Sequence, residues 1–119
     1  MINHTVVYAM ACLMYLSGRR GRNVQLAEIA AAQGIPQAYC QKVLAALARA
    51  GILQSFRGQG YCLERDAKEI SLRQVMEALS AVTHPRLEKE EGGLAGLTER
   101  LGETLAARLE GVLVSDFVA

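Results

Sequence analysis

Apolar residues recur every three or four positions through the first half of the chain, a spacing that predicts three helices joined by short polar turns. The first is predicted to run from an Asn3 N-cap to about Ser17, the second over Leu26–Gln33 and the third over residues 37–50. Glycines follow all three segments and are typical of helix ends: Gly18, Gly34 and Gly51.

The first helix is predicted to be largely buried, because its apolar positions fall at helical spacing along one stripe. That stripe comprises Val6, Val7, Met10, Leu13, Met14 and Ser17, and it is widened by Ala9 and Cys12. Before the second helix, Gln25 and Glu28 have the spacing of a capping box, although Gln25 is a weak substitute for Ser or Thr.

The second and third helices are joined by a short glycine-containing turn at residues 34–36, which is the spacing of a helix-turn-helix. This spacing alone is a weak signal, because many helical hairpins share it. Residues 52–56 and 61–64 follow as two predicted strands around a turn at 57–60. A basic hairpin directly after such a motif is typical of a wing, so the pattern predicts a winged helix-turn-helix.

In the second half, Ser71 and Gln74 form a capping box that predicts a fourth helix from Leu72 to about Val82. Residues 83–93 are polar, contain a proline and two glycines, and are predicted to form a loop. A fifth helix is predicted to follow, with one apolar side formed by Leu94, Leu97, Leu101, Leu105, Leu109 and Val112.

The apolar side of this last helix must be covered, either by the chain's own domain or by the matching helix of a second copy. We favour the second alternative and expect a homodimer, by analogy with small repressors. The apolar tail at 112–119 is expected to dock. The predicted fold is mainly α with a small β-hairpin wing: a winged helix-turn-helix domain at 1–82, a polar loop at 83–93, and a long dimerisation helix with its tail at 94–119.

The two halves of the chain carry opposite net charges. The 119 residues carry a net charge of only +1, but residues 1–63 contain six bases and one acid, and residues 64–119 contain seven bases and eleven acids. A basic half joined to an acidic half is typical of a nucleic-acid-binding protein with a separate second surface. Chance clustering is the alternative.

Other classes of function are excluded by what the sequence lacks. It has no Ser/His/Asp set, phosphate loop or metal-ligand spacing, so no enzyme is predicted, and the isolated His4 and His84 do not favour a metal site. No apolar run is long enough to cross a bilayer, and no basic region precedes the apolar start, so we expect a cytoplasmic protein.

The three cysteines form no C-x-x-C pair, which argues against a disulfide framework or a structural zinc site. Cys12 and Cys40 are expected to be buried thiols. Strand alternation can turn Cys62 outward on the hairpin, where it is a candidate redox thiol, although an unreactive half-buried cysteine is the favoured alternative.

The stretch VQLAEIAAAQGIPQAYCQKVLAALARAGILQSFRGQGYCL, followed by EISLRQVMEAL, resembles the IscR/NsrR/CymR family of bacterial winged-helix regulators. The resemblance covers the L-x-E-I-A helix, the Q-G-I turn, the recognition helix ending in A-G, the R-G wing and the following I-x-L helix. It implies a sequence-specific transcription regulator that binds double-stranded DNA as a homodimer; a repressor is expected, and an activator is the alternative that the sequence leaves open. A winged-helix adaptor that binds protein and has lost DNA binding is the alternative.

The chain departs from the family pattern at three points. The family's sensors hold an iron–sulfur cluster through three cysteines in the loop after the fourth helix, but residues 83–93 contain none, so no cluster and no other cofactor is predicted. The wing is about two residues shorter than the family's glycine-rich form. Gln41 stands where the family often has Glu, and a glutamine pairs with adenine rather than with cytosine.

Candidate DNA contacts lie on the third helix and the hairpin, where a recognition helix and a wing meet the grooves and phosphates. Core packing is the alternative for Tyr39, and an ordinary exposed charge is the alternative for Arg57. The arginines at positions 19, 20 and 22 are weaker phosphate candidates that can equally form a solvated turn. The predicted DNA-binding residues are Gln37, Tyr39, Gln41, Lys42, Arg49, Arg57 and Gln59.

Overall fold

A computed structural model describes residues 4–80 and 111–118 of the chain. In chain order these residues form three helices, a two-stranded hairpin, a 3₁₀ turn, a fourth helix and a second 3₁₀ turn. The helices are α1 (His4–Ser17), α2 (Leu26–Gln33), α3 (Gln37–Arg49) and α4 (Leu72–Leu79); the strands are β1 (Leu53–Phe56) and β2 (Gly60–Leu63); the 3₁₀ turns are Ala67–Glu69 and Val114–Phe117. The prediction of a mainly helical fold with a β-hairpin wing is confirmed.

The helix-turn-helix has nearly the bounds that its sequence predicts. Helix α2 coincides with the prediction, and Gly34 closes it in the left-handed conformation, with φ 66°, while its N–H bonds back to the last turn. Helix α3 ends one residue early, at Arg49, because Ala50 is already its C-cap. Gln25 does not cap α2 through its side chain, so the weak capping box expected there is wrong.

Helix α1 buries a different face from the one predicted. Thr5 and Leu16, which the stripe omitted, are buried, whereas Val7 is 51% exposed and Met10 and Met14 are only partly covered. The error has a physical cause: apolar residues surround much of this helix, so helical spacing alone does not determine which side faces the core. The prediction that α1 contributes a large part of the core remains correct.

The core lies where α1 crosses α3 and is closed by α2, α4 and the base of the hairpin. Its fully buried large side chains come from every one of these elements and from the C-terminal turn: Leu13, Leu16, Val24, Ile29, Val43, Leu44, Leu47, Ile52, Ile70, Val75, Leu79 and Val114. Helix α3 is therefore held on its inner side by packing, which leaves its outer side available to solvent.

The hairpin is antiparallel, with Leu53 opposite Leu63 and Phe56 opposite Gly60. Its first strand begins one residue later than predicted, and its second strand begins and ends one residue earlier. Val24, just before α2, adds a two-hydrogen-bond bridge to Tyr61, with both N···O distances at 2.8 Å. The wing is therefore fixed to the segment that leads into the helix-turn-helix.

Helix α4 opens with the predicted capping box: the Ser71 hydroxyl accepts from the Gln74 N–H, and the Gln74 side chain accepts from the Ser71 N–H. The tail docks beside this cap, because Leu72 N–H donates to Val112 and Val114 N–H donates to Ile70. Docking of the tail, which was expected, depends on Val114, which is fully buried.

Several predicted features lie outside the described residues: the Asn3 cap, the end of the fourth helix beyond residue 80, the loop at 83–93 and the leucine-bearing helix from Leu94. Among the described helices, none has the length and apolar character that a bilayer-spanning segment requires.

Candidate nucleic-acid interface

The outer edge of α3 carries three of the predicted DNA-binding residues. Gln37, Gln41 and Lys42 are exposed, while Cys40 and Val43, which interleave with them, are buried. This separation follows from the helical repeat, since residues three or four apart share a face. Within the described part of the chain the three exposed side chains make no hydrogen bond or ion pair, so their polar atoms are free for an external partner.

Tyr39 occupies a different position from its neighbours on α3. It is half-buried, its hydroxyl hydrogen-bonds with the hydroxyl of Thr5, and its ring meets that of Tyr8 edge-on at a centroid distance of 5.3 Å. These contacts join the start of α3 to α1. They support the packing alternative for Tyr39, and a DNA contact by this residue stays a prediction.

The turn at the tip of the wing is hydrogen-bonded to the segment before α2, and its arginine is exposed to solvent. Gln25 donates its side-chain N–H to the Gly58 carbonyl at 3.1 Å, and Asn23 donates to the Gln59 side chain at 3.3 Å. Arg57 is exposed and has no bonded partner among the described residues. Sequence reasoning missed Asn23 and Gln25 as supports of the wing, because nothing in the pattern pairs residues more than thirty positions apart.

The segment that contains α3 and the wing is free of negative charge. No acid lies between Glu28 and Glu64 in the sequence, and the three bases in between, Lys42, Arg49 and Arg57, are all exposed. Exposed cations with no acid between them in the sequence attract the negative phosphate backbone of a nucleic acid.

The arginine loop after α1 is not simply solvated, because Arg22 and, at 4.0 Å, Arg19 form ion pairs with Glu28. Arg22 donates two hydrogen bonds to this carboxylate, at 2.7 and 3.3 Å, and Tyr15 donates a third at 2.6 Å. Arg19 lies over the Tyr15 ring, 3.6 Å from its centroid. We call Tyr15, Arg19, Arg22 and Glu28 the Glu28 cluster. Within the loop, only Arg20 among the three arginines lacks a bond to a described residue.

Hydrogen bonding within the Glu28 cluster shifts the titration of its members. The bonds from Arg22 and then Tyr15 favour the carboxylate and lower the pKa of Glu28 to about 2. The same bond to Glu28 raises the pKa of Tyr15, because it stabilises the protonated phenol. The positive charge of Arg22 is therefore paired with the Glu28 carboxylate, which makes Arg22 a poorer phosphate ligand than its sequence context indicates.

The cysteines divide as expected. Cys12 and Cys40 are fully buried, and Cys62 is half-buried on β2, facing Gln54 across the hairpin. Cys62 shares a shallow surface recess with Arg20 and Arg22. The fold therefore brings two bases near this thiol that are about forty positions away in the sequence. Whether Cys62 is redox-active stays a prediction.

A helix-turn-helix whose second helix exposes a polar edge, followed directly by an anchored basic hairpin, defines the winged-helix class of DNA-binding domains. The chain belongs to the Rrf2 family, described as iron-dependent transcriptional regulators, whose family model matches residues 2–119. The resemblance to IscR- and CymR-type regulators is thereby confirmed, and so is the prediction that the chain is a transcription regulator and not an enzyme.

Similar proteins are also named as transcriptional regulators. The HTH-type transcriptional regulator IscR of Cereibacter sphaeroides is 33% identical over 114 residues, which cover 86% of this chain and 74% of that protein. The IscR of Serratia proteamaculans is 35% identical over 96 residues, covering 76% of this chain and 58% of that protein. The chain thus aligns with about three quarters of the first relative and less than two thirds of the second.

Solved structures show the same fold. CymR, the global cysteine regulator of B. subtilis, superposes with a TM-score of 0.70 at 23% identity, over 98% of this chain and 94% of that chain. The IscR of T. potens gives a TM-score of 0.71 at 22% identity, over 98% of this chain and 84% of that chain.

The family description implies iron, which in a regulator of this family would be held as an iron–sulfur cluster. Such clusters are held mainly by thiolates that converge on one site. Here Cys12 and Cys40 lie inside the core and Cys62 lies on the wing, and in residues 4–80 and 111–118 no three His, Cys, Asp or Glu side chains converge. Residues 83–93 also contain no cysteine. The thiols of this chain therefore do not fit the family's cluster.

Proposed function

We propose that the protein is a repressor that binds specific double-stranded DNA through α3 and the wing. The observation that carries this proposal is the acid-free segment between Glu28 and Glu64, whose only charged side chains, Lys42, Arg49 and Arg57, are all exposed. Phosphate contacts from such cations supply most of the affinity of DNA-binding proteins, and hydrogen-bonding side chains supply sequence preference.

In this proposal α3 enters the major groove. Gln37 and Gln41 offer an amide that pairs with the edge of adenine, and Lys42 contacts a phosphate. Tyr39 keeps the start of α3 fixed to α1, and the exposed edge of its ring contacts the sugar-phosphate backbone of the DNA. Arg49 contacts phosphate from the far end of the helix.

The wing contributes Arg57 and Gln59 in the same complex. A narrow minor groove concentrates negative potential and attracts an arginine inserted into it. Since Asn23 and Gln25 bond to Gln59 and Gly58, the turn that carries Arg57 loses little further backbone freedom when it binds. This favours a groove contact over a mobile surface charge.

The active form in this proposal is a homodimer with the domain arrangement given by the sequence: 1–82 binds DNA, 83–93 is a loop, and 94–119 dimerises. The one-sided row of leucines from Leu94 to Leu109 supports it, since two such rows cover each other. Leu101→Glu places a charge in that row, and sedimentation analysis should then show a monomer. A dimer of unchanged strength would exclude this interface.

The proposed regulator works without the family's cluster. Protein purified without oxygen should show no visible absorbance from iron–sulfur charge transfer and no stoichiometric iron. Bound iron with a cluster spectrum would contradict this part of the proposal and would require ligands other than converging thiols.

The main experiment selects duplexes from a random library with the purified chain and measures affinity for the selected sequence at two salt concentrations. A DNA-binding regulator should enrich a defined motif and lose affinity steeply as salt rises, by about 0.9 logarithmic unit per phosphate contact and per tenfold change in salt. The rival protein-binding adaptor predicts no enriched motif and no steep salt dependence.

A further inference from the structure

The core contains two thiols in contact that the proposed function does not use. The sulfurs of Cys12, in the middle of α1, and Cys40, in the first turn of α3, lie 3.9 Å apart, and both residues are fully buried. No other pair of cysteines in the chain is placed in this way, since Cys62 lies on the hairpin and contacts Gln54. A lone buried cysteine is usually inert, but two sulfurs in contact are positioned to react with each other.

We infer that Cys12 and Cys40 form an intramolecular disulfide when the cell is exposed to peroxide, and that this bond lowers DNA affinity by moving the start of α3. The second half of this inference rests on the proposed function, while the first half concerns only the two thiols.

The two sulfurs have different roles in the reaction. The hydrogen bond from the Cys12 thiol stabilises the Cys40 thiolate and lowers the pKa of Cys40, while that bond and burial raise the pKa of Cys12. The Cys40 thiolate attacks hydrogen peroxide, so that an S–O bond forms, the O–O bond breaks, and hydroxide leaves to become water. Cys12 then attacks the Cys40 sulfur, the S–O bond breaks, and a second water leaves. Two thiols lose two electrons and two protons to one peroxide.

Closing this bond changes the geometry of the recognition helix. A disulfide has an S–S length of about 2.05 Å, so the sulfurs must approach by about 1.9 Å in a packed core. Cys40 lies three residues after Gln37 and directly before Gln41, and base contacts tolerate displacements of only about 0.5 Å. Movement of this first turn therefore takes both glutamines out of register with the bases.

The chemical half is tested on the full chain carrying Cys62→Ser, which leaves only the inferred pair. Trypsin places the two cysteines in separate peptides, residues 1–19 and 23–42, so a disulfide is detected as a linked pair in an unreduced digest. We expect the linked peptide after peroxide treatment, with a loss of about 2 Da from the intact chain, and its disappearance with dithiothreitol. Free thiols on both peptides after treatment, or links only between two chains, would overturn the inference.

The functional half is tested with the duplex selected above. Peroxide should weaken binding by the Cys62→Ser chain about tenfold or more, which corresponds to the loss of at least one base contact, and dithiothreitol should restore it. Cys12→Ala in the same background should bind normally and ignore peroxide. A linked peptide with unchanged affinity would overturn the regulatory role. If the reduced chain selects no DNA, the proposed function fails, but the linked peptide still decides the disulfide, even if the alanine variant does not fold.

Discussion

The backbone of Val24 lies so close against Gly60 that no side-chain carbon fits between them. Gly60 also has φ +102°, a conformation that L residues rarely adopt, and it begins the second strand of the wing. The bridge between Val24 and the wing therefore depends on the absence of a side chain at this position.

Gly60→Ala should accordingly destabilise the fold and detach the wing. The strained φ and the clash with the Val24 carbonyl together should cost about 3 kcal/mol in the free energy of unfolding, measured by urea denaturation. Gly58→Ala is the matched control, because Gly58 has φ +76° but open space around it, and it should cost only about 1 kcal/mol. Equal losses for the two variants would show that Val24 does not restrict the wing.

Arg57→Ala tests the wing as a DNA contact. It should weaken binding to the selected duplex by about 1–3 kcal/mol at moderate salt, because a cation held at a groove or phosphate is lost. Arg73→Ala is the control: it removes the same charge from α4, where Arg73 pairs with Glu77 at 2.8 Å, and it should change affinity little. If both variants bind alike, the wing has no specific role.

Gln41 and Lys42 are adjacent and exposed, but replacing each by alanine should change DNA binding in a different way. Gln41→Ala should relax the preference for one base pair and leave the salt dependence unchanged, since an amide that pairs with a base edge neutralises no phosphate. Lys42→Ala should weaken binding to all sequences and lower the salt slope by about 1. Affinities for a panel of single-base duplexes at two salt concentrations separate these results, and identical profiles would contradict the assigned roles.

Local signals made the elements of the fold predictable. The bounds of α2, the left-handed Gly34 and the Ser71 capping box each depend on residues within four positions of one another, so the sequence contains the whole cause. The same holds for the exposed edge of α3, because the helical repeat alternates Cys40 and Val43 with polar neighbours.

Features that depend on tertiary contacts were not predictable. The spacing of Glu28 predicts only a part in a cap, yet its carboxylate binds Tyr15 and Arg22 from a different segment. Gln25 bonds the wing instead of α2, and the sulfurs of Cys12 and Cys40 meet across 28 positions of sequence. Helix α1 has apolar residues on several sides, so the sequence does not show which side packs against the core. The assignment of Val7 to the core is therefore wrong.

The Glu28 cluster should make folding stability depend on pH in a defined interval. The pKa of the Glu28 carboxyl group falls from 4.5 to about 2 on folding. The carboxylate therefore stabilises the folded protein fully above pH 4.5, and this contribution is lost as the pH falls towards 2. Urea unfolding at a series of pH values should show a smaller decrease for Glu28→Gln over that interval. Arg22→Gln, which removes the strongest partner, should also flatten the curve. A wild-type profile in both variants would contradict this assignment.

The C-terminal 3₁₀ turn gives a last prediction: truncating Val114 should cost more free energy of unfolding than truncating the larger Phe117. Val114 is fully buried and its N–H bonds to Ile70, whereas Phe117, three residues later, is 49% exposed. Val114→Ala leaves a cavity beside the start of α4 and should cost about 2 kcal/mol of unfolding free energy. Phe117→Ala should cost less, about 1 kcal/mol in the same denaturation assay, because about half of its side chain is already exposed. A larger loss for Phe117→Ala, growing with protein concentration, would show instead that this ring is covered by a second copy of the chain.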